Sequence, residues 1–411
     1  MRSTPPTWNC DSALNKATVA PAPIGWRYII LLALLLGAQP VATDLYLPAL
    51  PALARELGNP SLTMTAMMLS FGIAQLFWGP LSDRYGRKPI LIIGALGFAV
   101  CGLIGATVDS MNSLVLARIA QGVSLAALIV CARATVRDLF APIDGMRVLS
   151  KGLSGLGLIA LLSPILGAAL ATFSPWRGAV GAIGMYGLVL LLWVVFGYRE
   201  SRPTASAEAS SLSHWQAMKQ VARGPKFRAW TALTTASYAT LFCFLLSSAF
   251  VYINAFGFTP MQCGIVLALN CVFYIAGTYF CRFLLRRMAP NRALKFSSVF
   301  SLSSGWLMLI VALIWQPMAW VMIVGQCLFA VGHGVAQPTA QAGAIADYPE
   351  HAGRAASMSG FVMMITAYLV GQLISPYLGD NAWPLIIAMA VGGTAVTVIS
   401  WTFVQRAYAG E

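Results

Sequence analysis

Apolar segments of about twenty residues follow one another along almost the whole chain, with short polar turns between them. Hydrophobic residues occupy 58% of the 411 positions and charged residues only 9%, which is more apolar surface than a soluble core can bury. A helix of about 20 residues is long enough to cross the hydrocarbon layer of a bilayer. The sequence therefore predicts an all-α membrane protein with twelve transmembrane helices in two pseudo-symmetric halves of six.

The same segmentation predicts where each span lies and how the chain divides. We expect spans 1 to 12 at residues 28–47, 63–80, 90–108, 113–135, 151–172, 178–197, 230–253, 264–283, 297–315, 319–342, 356–377 and 384–404. The expected divisions are a disordered cytoplasmic tail at 1–26, a first half at 27–198, a cytoplasmic linker at 199–228, a second half at 229–406 and a tail at 407–411. In the linker, Trp215, Met218 and Ala222 share one helical face, which predicts a short helix lying on the membrane surface.

The net charge of +13 follows membrane topology and does not form a stripe suited to nucleic acid. Lys and Arg accumulate in alternate turns, and only Arg55 and Arg177 fall in the others. Short loops rich in these cations face the cytoplasm. We therefore expect a multi-pass protein of the cell inner membrane with both termini in the cytoplasm and no nucleic-acid partner.

Asp44 is the one acidic residue that falls inside a predicted span, and Arg118 in span 4 is expected at a similar depth. A charge placed in hydrocarbon costs about 2.5–3.5 kcal/mol on insertion scales, so such residues usually line a cavity or an ion path. Burial favours the neutral acid, whereas a nearby guanidinium favours the carboxylate. We expect Asp44 and Arg118 to form a switchable, proton-coupled pair. The alternative is an interfacial Asp44 that caps the helix end or reaches the surface.

The turn between spans 2 and 3 reads Gly-Pro-Leu-Ser-Asp-Arg-Tyr-Gly-Arg-Lys-Pro over residues 79–89. It resembles the loop 2–3 signature of the major facilitator superfamily, usually written G-x-L-a-D-r-x-G-r-k-p. The resemblance implies the major facilitator fold and a latch between the two halves in the outward-open state. The residues assigned to this latch are Gly79, Asp83, Arg84, Gly86, Arg87 and Asp138.

Each latch residue has an expected contact. We expect Gly79 to let span 2 approach a neighbouring helix closely. Asp83 is expected at the N-terminus of span 11, where a carboxylate meets the positive end of the helix dipole. Arg84 or Arg87 is expected to pair with Asp138. A basic turn that only sets topology is the alternative, but it accounts for the cations and not for the acid or the two glycines.

Spans 4 and 5 carry two further resemblances. The run from Arg118 to Gly122 resembles the R-x-x-Q-G motif of the superfamily, and span 5 resembles its antiporter motif, G-x-x-x-G-P-x-x-G-G. Proline bends a helix and small residues allow close packing, although small residues are also common wherever membrane helices pack. The antiporter motif implies an exporter. Its residues here are Gly155, Ser163, Pro164 and Gly167.

Residues 43–48, 134–138 and 200–203 resemble the Bcr/CflA group of drug:proton antiporters. The resemblance implies proton-coupled export of small amphipathic drugs or related metabolites by alternating access. We expect a functional monomer in the bilayer, with protons and a small molecule as its partners. Substrate is expected between the halves near mid-depth. The candidate wall residues are Tyr46, Met67, Phe71, Gln75, Tyr238, Phe242, Asn270, Tyr274, His333 and Gln337.

An enzyme is not expected, because the sequence has no paired carboxylates, no metal-ligand spacing and no phosphate loop. We therefore expect no metal and no cofactor, and a proton gradient as the energy source. Two alternatives stay open: a proton-coupled importer of a small nutrient, and a membrane receptor that transports nothing. His333, the one histidine in a predicted span, is open to a structural role as well as to titration or substrate binding.

Overall fold

A computed structural model describes residues 25–174, 176–201, 214–348 and 351–409, and within these ranges the regular structure is helical. Twelve of the helices are long and apolar enough to cross a membrane. The prediction of an all-α membrane protein with twelve spans is confirmed. In chain order, spans 1 to 12 are Trp26–Leu57, Ser61–Tyr85, Arg87–Gly105, Met111–Leu139, Arg147–Phe173, Arg177–Gly197, Pro225–Ala255, Pro260–Leu285, Pro290–Ile314, Ala319–Ala346, Ala352–Tyr377 and Trp383–Ala407.

Span 1 differs most from its predicted bounds. It was expected to end at residue 47, but the chain continues through a 3-10 turn, Leu47–Ala49, into a further helix, Leu50–Leu57. Pro48 and Pro51 look like helix terminators in the sequence, yet proline is compatible with the first turn of a helix. Both prolines lie at such starts, so the break is local and the span is longer than predicted.

The two halves repeat the same packing scheme. In the first half, span 2 packs on span 4, span 3 on span 6 and span 1 on span 5. Adding six to each number gives contacts that are also present: span 8 on span 10, span 9 on span 12 and span 7 on span 11. The predicted pseudo-symmetry is therefore visible in the helix pairs.

Two helix pairs join the halves, and they too are related by the repeat. Span 2 packs on span 11, and span 8 packs on span 5. We call the two contacts the 2/11 seam and the 5/8 seam. The end of the bundle that carries residues 25 and 409 and the 2–3 turn is called the basic face, and the other end the far face.

The linker helix, His214–Arg223, packs on protein instead of standing apart on a membrane surface. Val221 is completely buried in a cluster with Phe227 and Trp230 of span 7, and Met218 is also buried. The helix contacts spans 7 and 11. The predicted helix is present, but its apolar face lies against the second half. The Ser- and Ala-rich start of the linker and most of the predicted N-terminal tail lie outside the described residues.

Candidate functional site

The break in span 1 creates the centre of the site. The helix Trp26–Thr43 ends with Asp44 at its C-cap, where the Asp44 N–H donates to the carbonyl of Pro40 over 2.7 Å. The N–H of Tyr46 bonds the carbonyl of Thr43 over 3.2 Å instead of that of Ala42. In an uninterrupted helix the Ala42 carbonyl would receive that N–H. The break therefore leaves it available to another donor.

Arg118 of span 4 uses this carbonyl. Its Nη2 donates to Ala42 O over 2.7 Å and its Nη1 donates to Gln121 Oε1 over 2.6 Å. The guanidinium carbon lies 4.7 Å from the centre of the Tyr46 ring, within the range of a cation–π contact. Only 1% of Arg118 is exposed, and its Nε has no hydrogen-bond partner among the described residues.

Asp44 does not pair with Arg118 in this conformation. Among the described residues no ion pair joins the two, and the Asp44 side chain accepts a hydrogen bond of 2.7 Å from Thr43 Oγ1. Arg118 bonds the backbone two residues before Asp44, so the two residues lie at a similar level of the helix bundle. The predicted direct pair is absent because the guanidinium of Arg118 donates instead to the Ala42 carbonyl, which the break leaves without its usual partner.

Asp44 is half-buried, and the 3-10 turn Leu47–Ala49 just after it contacts span 8 and span 7, which carries Tyr238, in the second half. Tyr238 also accepts a hydrogen bond of 3.4 Å from Gln39, one turn before Asp44 in span 1. The acid therefore lies at the C-cap of the helix Trp26–Thr43, but span 1 continues beyond it to Leu57, so Asp44 is not at the interfacial end of the span that the alternative required.

Span 5 packs closely against the break in span 1. A Cβ on Gly167 would overlap the carbonyl oxygen of Leu45, and a Cβ on Gly155 would overlap the side chain of Ala33. Ser163, which is 2% exposed, bonds its own helix at the carbonyl of Ile159 over 2.7 Å. Pro164 lies within the helix, and its carbonyl would be 2.7 Å from a Cβ on Gly264 of span 8. The motif residues thus hold span 5 between span 1 and span 8.

The interior of the second half is polar without mid-membrane charge among the described residues. His333 Nδ1 and Ser237 Oγ lie 2.8 Å apart, and the His333 ring packs between Tyr274 and Phe329 at centroid distances of 5.6 and 5.8 Å. Thr234 donates to Gln337 Oε1 over 3.0 Å. Spans 7, 8 and 10 therefore meet through neutral hydrogen-bonding groups.

The candidate wall residues fall into two groups. Tyr46 and Met67 are completely buried in the first half, and Phe71 and Phe242 are 4% and 1% exposed. Tyr46 packs under Arg118 and bonds Thr63 over 3.2 Å, so it supports the arginine and is not a wall residue in this conformation. An almost wholly apolar helix does not show in its sequence which face meets a cavity, because neighbouring helices are as apolar as lipid.

The other candidates lie where the helices or the halves meet. Gln326 donates to Asn270 over 3.3 Å, which joins spans 8 and 10. Gln75 lies in the 2/11 seam against Gly360, and its Nε2 has no partner among the described residues. Tyr238 is 9% exposed and contacts the first half through Gln39 and Met68. These positions, with His333 and Gln337, stay candidates for substrate contact.

The turn after span 2 forms a compact charge cluster. Arg87, which is 3% exposed, bonds Asp138 over 2.7 Å and Asp83 over 2.6 Å. The predicted Arg87–Asp138 pair is therefore present. The Asp83 side chain is 59% exposed and pairs within its own turn, whereas its predicted contact with the start of span 11 is not among those observed. Arg84 lies over the ring of Tyr85 at 5.4 Å.

The two glycines of this turn differ. A Cβ on Gly79 would meet no atom within 4 Å, so the predicted close approach at Gly79 is wrong for this conformation. Gly86 has a φ of 99°, a backbone conformation that favours glycine.

Glu200, just after span 6, is a site residue that we had interpreted only as part of a family resemblance. Its carboxylate accepts hydrogen bonds of 2.9 Å from the backbone N–H groups of Arg87 and Lys88. These groups begin span 3, where a carboxylate is stabilised by the free N–H groups and the helix dipole. The sequence alone does not indicate that Glu200 caps span 3, because the two are far apart in the chain and no fixed spacing links them.

Twelve spans in two related halves, joined by two symmetry-related seams, define the repeat architecture of a membrane carrier. Residues 32–376 match the Major Facilitator Superfamily, a family of membrane transporters. The chain belongs to this family.

Comparison with individual proteins agrees with that assignment. The chain is 26% identical over 388 residues to the bicyclomycin resistance protein homolog of Haemophilus influenzae, covering 92% of this chain and 95% of the relative. It is 27% identical over 377 residues to multidrug resistance protein D of Escherichia coli, covering 88% and 92%. A crystal structure of a bacterial homolog of the human lysosomal transporter Spinster matches with a TM-score of 0.67 at 14% identity, covering 93% and 95%. The last similarity shows the fold.

Proposed function

We propose that the protein is a proton-coupled antiporter that exports small amphipathic drugs or related metabolites, as a monomer and without a cofactor. The names of the relatives support the substrate class, since they are called bicyclomycin and multidrug resistance proteins. In this proposal the basic face lies in the cytoplasm of a cell inner membrane, because the surplus of Lys and Arg lies there. The gradient supplies about 2.3 kcal/mol for one charge moved through 100 mV.

The placement of Asp44 is the observation that carries the proposal. It is a half-buried acid at a helix break, next to a turn that contacts spans 7 and 8 of the second half. The guanidinium of Arg118 bonds the carbonyl of Ala42, two residues before Asp44, and so places a fixed positive charge at the same break. We infer that Asp44 accepts a proton from the far face and gives it up to the basic face as drug moves in the opposite direction. Its hydrogen bond from Thr43 stabilises the charged form between these steps.

Everted membrane vesicles test this assignment with bicyclomycin as the first probe, followed by a panel of uncharged and cationic antibiotics. Acidifying the vesicle interior should drive drug uptake by the parent protein. Asp44→Asn should lower drug accumulation at least tenfold at an unchanged level of the protein in the membrane. Asp380→Asn is the matched control, since Asp380 is exposed in the turn before span 12.

The vesicle experiment also separates the alternatives. Drug uptake into Asp44→Asn vesicles at the parent level would contradict the proton-carrying role. A nutrient importer would not load drug when the interior is acid, and a receptor would move nothing under any gradient.

We also propose that the charge cluster after span 2 is the basic-face latch of this cycle. Asp83 is exposed and paired with Arg87 here, so it is accessible to span 11 after a modest closure of the basic face. Asp83→Asn should lower turnover while leaving equilibrium drug binding within about twofold, since the substitution keeps shape and removes charge. Unchanged turnover would argue against the latch.

A further inference from the structure

A cluster of uncharged polar side chains joins the halves at the far-face end of the 2/11 seam. Asn59 Nδ2 donates to Ser375 Oγ over 2.8 Å, and the hydroxyls of Ser61 and Ser375 are in direct contact. One turn deeper, Gln372 Nε2 donates to Thr65 Oγ1 over 2.7 Å. We call these five residues the far-face clasp.

Local structure holds both sides of the clasp in place before they meet. Asn59 Oδ1 accepts hydrogen bonds from the Ser61 N–H over 3.1 Å and from Ser61 Oγ over 2.5 Å, at the start of span 2. Ser375 begins the 3-10 turn Ser375–Tyr377, which follows the long helix of span 11. Ser61 is fully buried and Ser375 is 8% exposed. Each partner is therefore preorganised at the end of a helix; Asn59 is exposed, and the buried part of the contact is the pair Ser61 and Ser375.

The 5/8 seam at a comparable level is built differently. There Gly264 lies against the backbone carbonyl of Pro164 and the methyl group of Ala168. Such a contact depends on close packing of backbones, which a small displacement breaks without replacement. Side-chain hydroxyl and amide groups, in contrast, exchange their partners for water when a seam opens. The far-face end of the 2/11 seam is therefore the contact that can open and close with a small difference in free energy between the open and closed states.

We propose that the far-face clasp is the gate on that side of the carrier: its hydrogen bonds hold the far face closed in this conformation, and they exchange for water when substrate leaves. Asn59, Ser61, Thr65, Gln372 and Ser375 are positioning residues that set the balance between the two conformations. The inference rests on the proposed alternating-access function. In this account the two ends of span 2 close opposite faces of the carrier: the charge cluster closes the basic face, and the uncharged clasp closes the far face.

A distance measurement that needs no substrate tests the gate. Nitroxide labels at Thr107→Cys and Asp380→Cys report on exposed far-face turns, one from each half. The native cysteines among the described residues are buried or half-buried and label slowly, and the parent without the new cysteines gives the background. Asn59→Ala combined with Ser375→Ala should raise the long-distance population at least threefold. Thr172→Ala, whose hydroxyl bonds only its own helix at Ala169 among the described contacts, should leave the distances unchanged.

Reversible cross-linking gives the second arm. In Ser61→Cys with Ser375→Cys, a mild oxidant should form a disulfide, abolish drug uptake by everted vesicles and fix the labels at the short distance, and a thiol reductant should restore both. Clasp variants that leave the distance distribution unchanged, or a cross-linked protein that transports at the parent rate, would overturn the gate. If the distances respond as expected but no drug moves in any variant, the gate stands and the proposed exporter function fails.

Discussion

Spans 4 and 10 occupy equivalent places in the two halves, yet one carries a charge where the other carries an amide. Arg118 lies seven residues after Met111, the first residue of its helix, and Gln326 lies seven after Ala319. Arg118 bonds the broken backbone of span 1, whereas Gln326 bonds the side chain of Asn270 in span 8. The two halves thus have a polar residue at the same position of the repeat, and this residue bonds a backbone carbonyl in one half and a side chain in the other.

Spans 1 and 7 show the same division. Span 1 breaks into a 3-10 turn beside Asp44, and span 7 ends in a π-helical stretch, Phe250–Ala255, in the corresponding part of the second half. The first break releases a carbonyl for a buried arginine and places an acid at the seam. Serine, threonine and tyrosine are the polar residues found in span 7 near its middle. The first half thus carries an acid and a buried cation at its break, whereas the described interior of the second half carries neutral hydrogen-bonding groups.

Replacing Arg118 with glutamine tests this difference most strongly. Arg118→Gln gives span 4 the residue type of span 10, but it removes the donor to Ala42 and the cation above Tyr46. A buried carbonyl without a partner costs about 1–3 kcal/mol, so we expect a lower midpoint of thermal unfolding in detergent and at least tenfold less drug accumulation.

Gln326→Ala is the matched variant for that experiment. It removes one neutral hydrogen bond, worth about 0.5–1.5 kcal/mol, and should retain most accumulation. Equal losses in Arg118→Gln and Gln326→Ala would show that the two halves do not divide the work as we describe.

Glycine-to-alanine substitutions in spans 5 and 11 sharpen the comparison through packing. Gly167→Ala places a methyl group on the Leu45 carbonyl at the break, whereas the methyl of Gly371→Ala meets the side chains of Thr65 and Phe242. Backbone cannot move aside as a side chain can, and overpacking costs about 1–3 kcal/mol. We expect Gly167→Ala to lose most transport and Gly371→Ala to keep more than half, measured as initial uptake rates in vesicles.

Gly379→Ala serves as the control, because Gly379 lies in the turn before span 12 and its added methyl group would meet no atom within 4 Å. It should behave as the parent protein does. A Gly167→Ala variant with normal transport would show that the contact between span 5 and the break has no part in the cycle.

The smallest effect is expected in the second half. Ser237→Ala removes the hydrogen bond to His333, worth about 0.5–1.5 kcal/mol, and should change the half-saturating concentration of individual drugs by roughly threefold to tenfold while leaving the proton-to-drug ratio unchanged. Ser248→Ala in the same span is the control, since Ser248 bonds its own helix at Leu245. A changed proton-to-drug ratio in Ser237→Ala would place the second half in proton coupling as well.

The sequence was sufficient for the twelve spans, the division into halves and the depth of the two mid-membrane charges, since length, apolarity and charge placement determine these features. It was not sufficient for the end of span 1, because prolines at helix starts and prolines at helix ends read alike. It also missed the partner of Arg118, because no residue pattern shows that a backbone carbonyl has been released. It also did not show that Tyr46 packs under Arg118, because an apolar helix among apolar helices has no distinct inward side in its sequence.

The central claim is that Asp44 carries the proton that drug displaces, and proton release on drug binding measures this directly. Purified protein in weakly buffered detergent solution, with a pH indicator, receives the drug that the vesicle panel identifies as transported. The account predicts that the parent protein releases protons on binding and that Asp44→Asn binds the same drug with no release. Proton release from Asp44→Asn equal to that of the parent protein would contradict it.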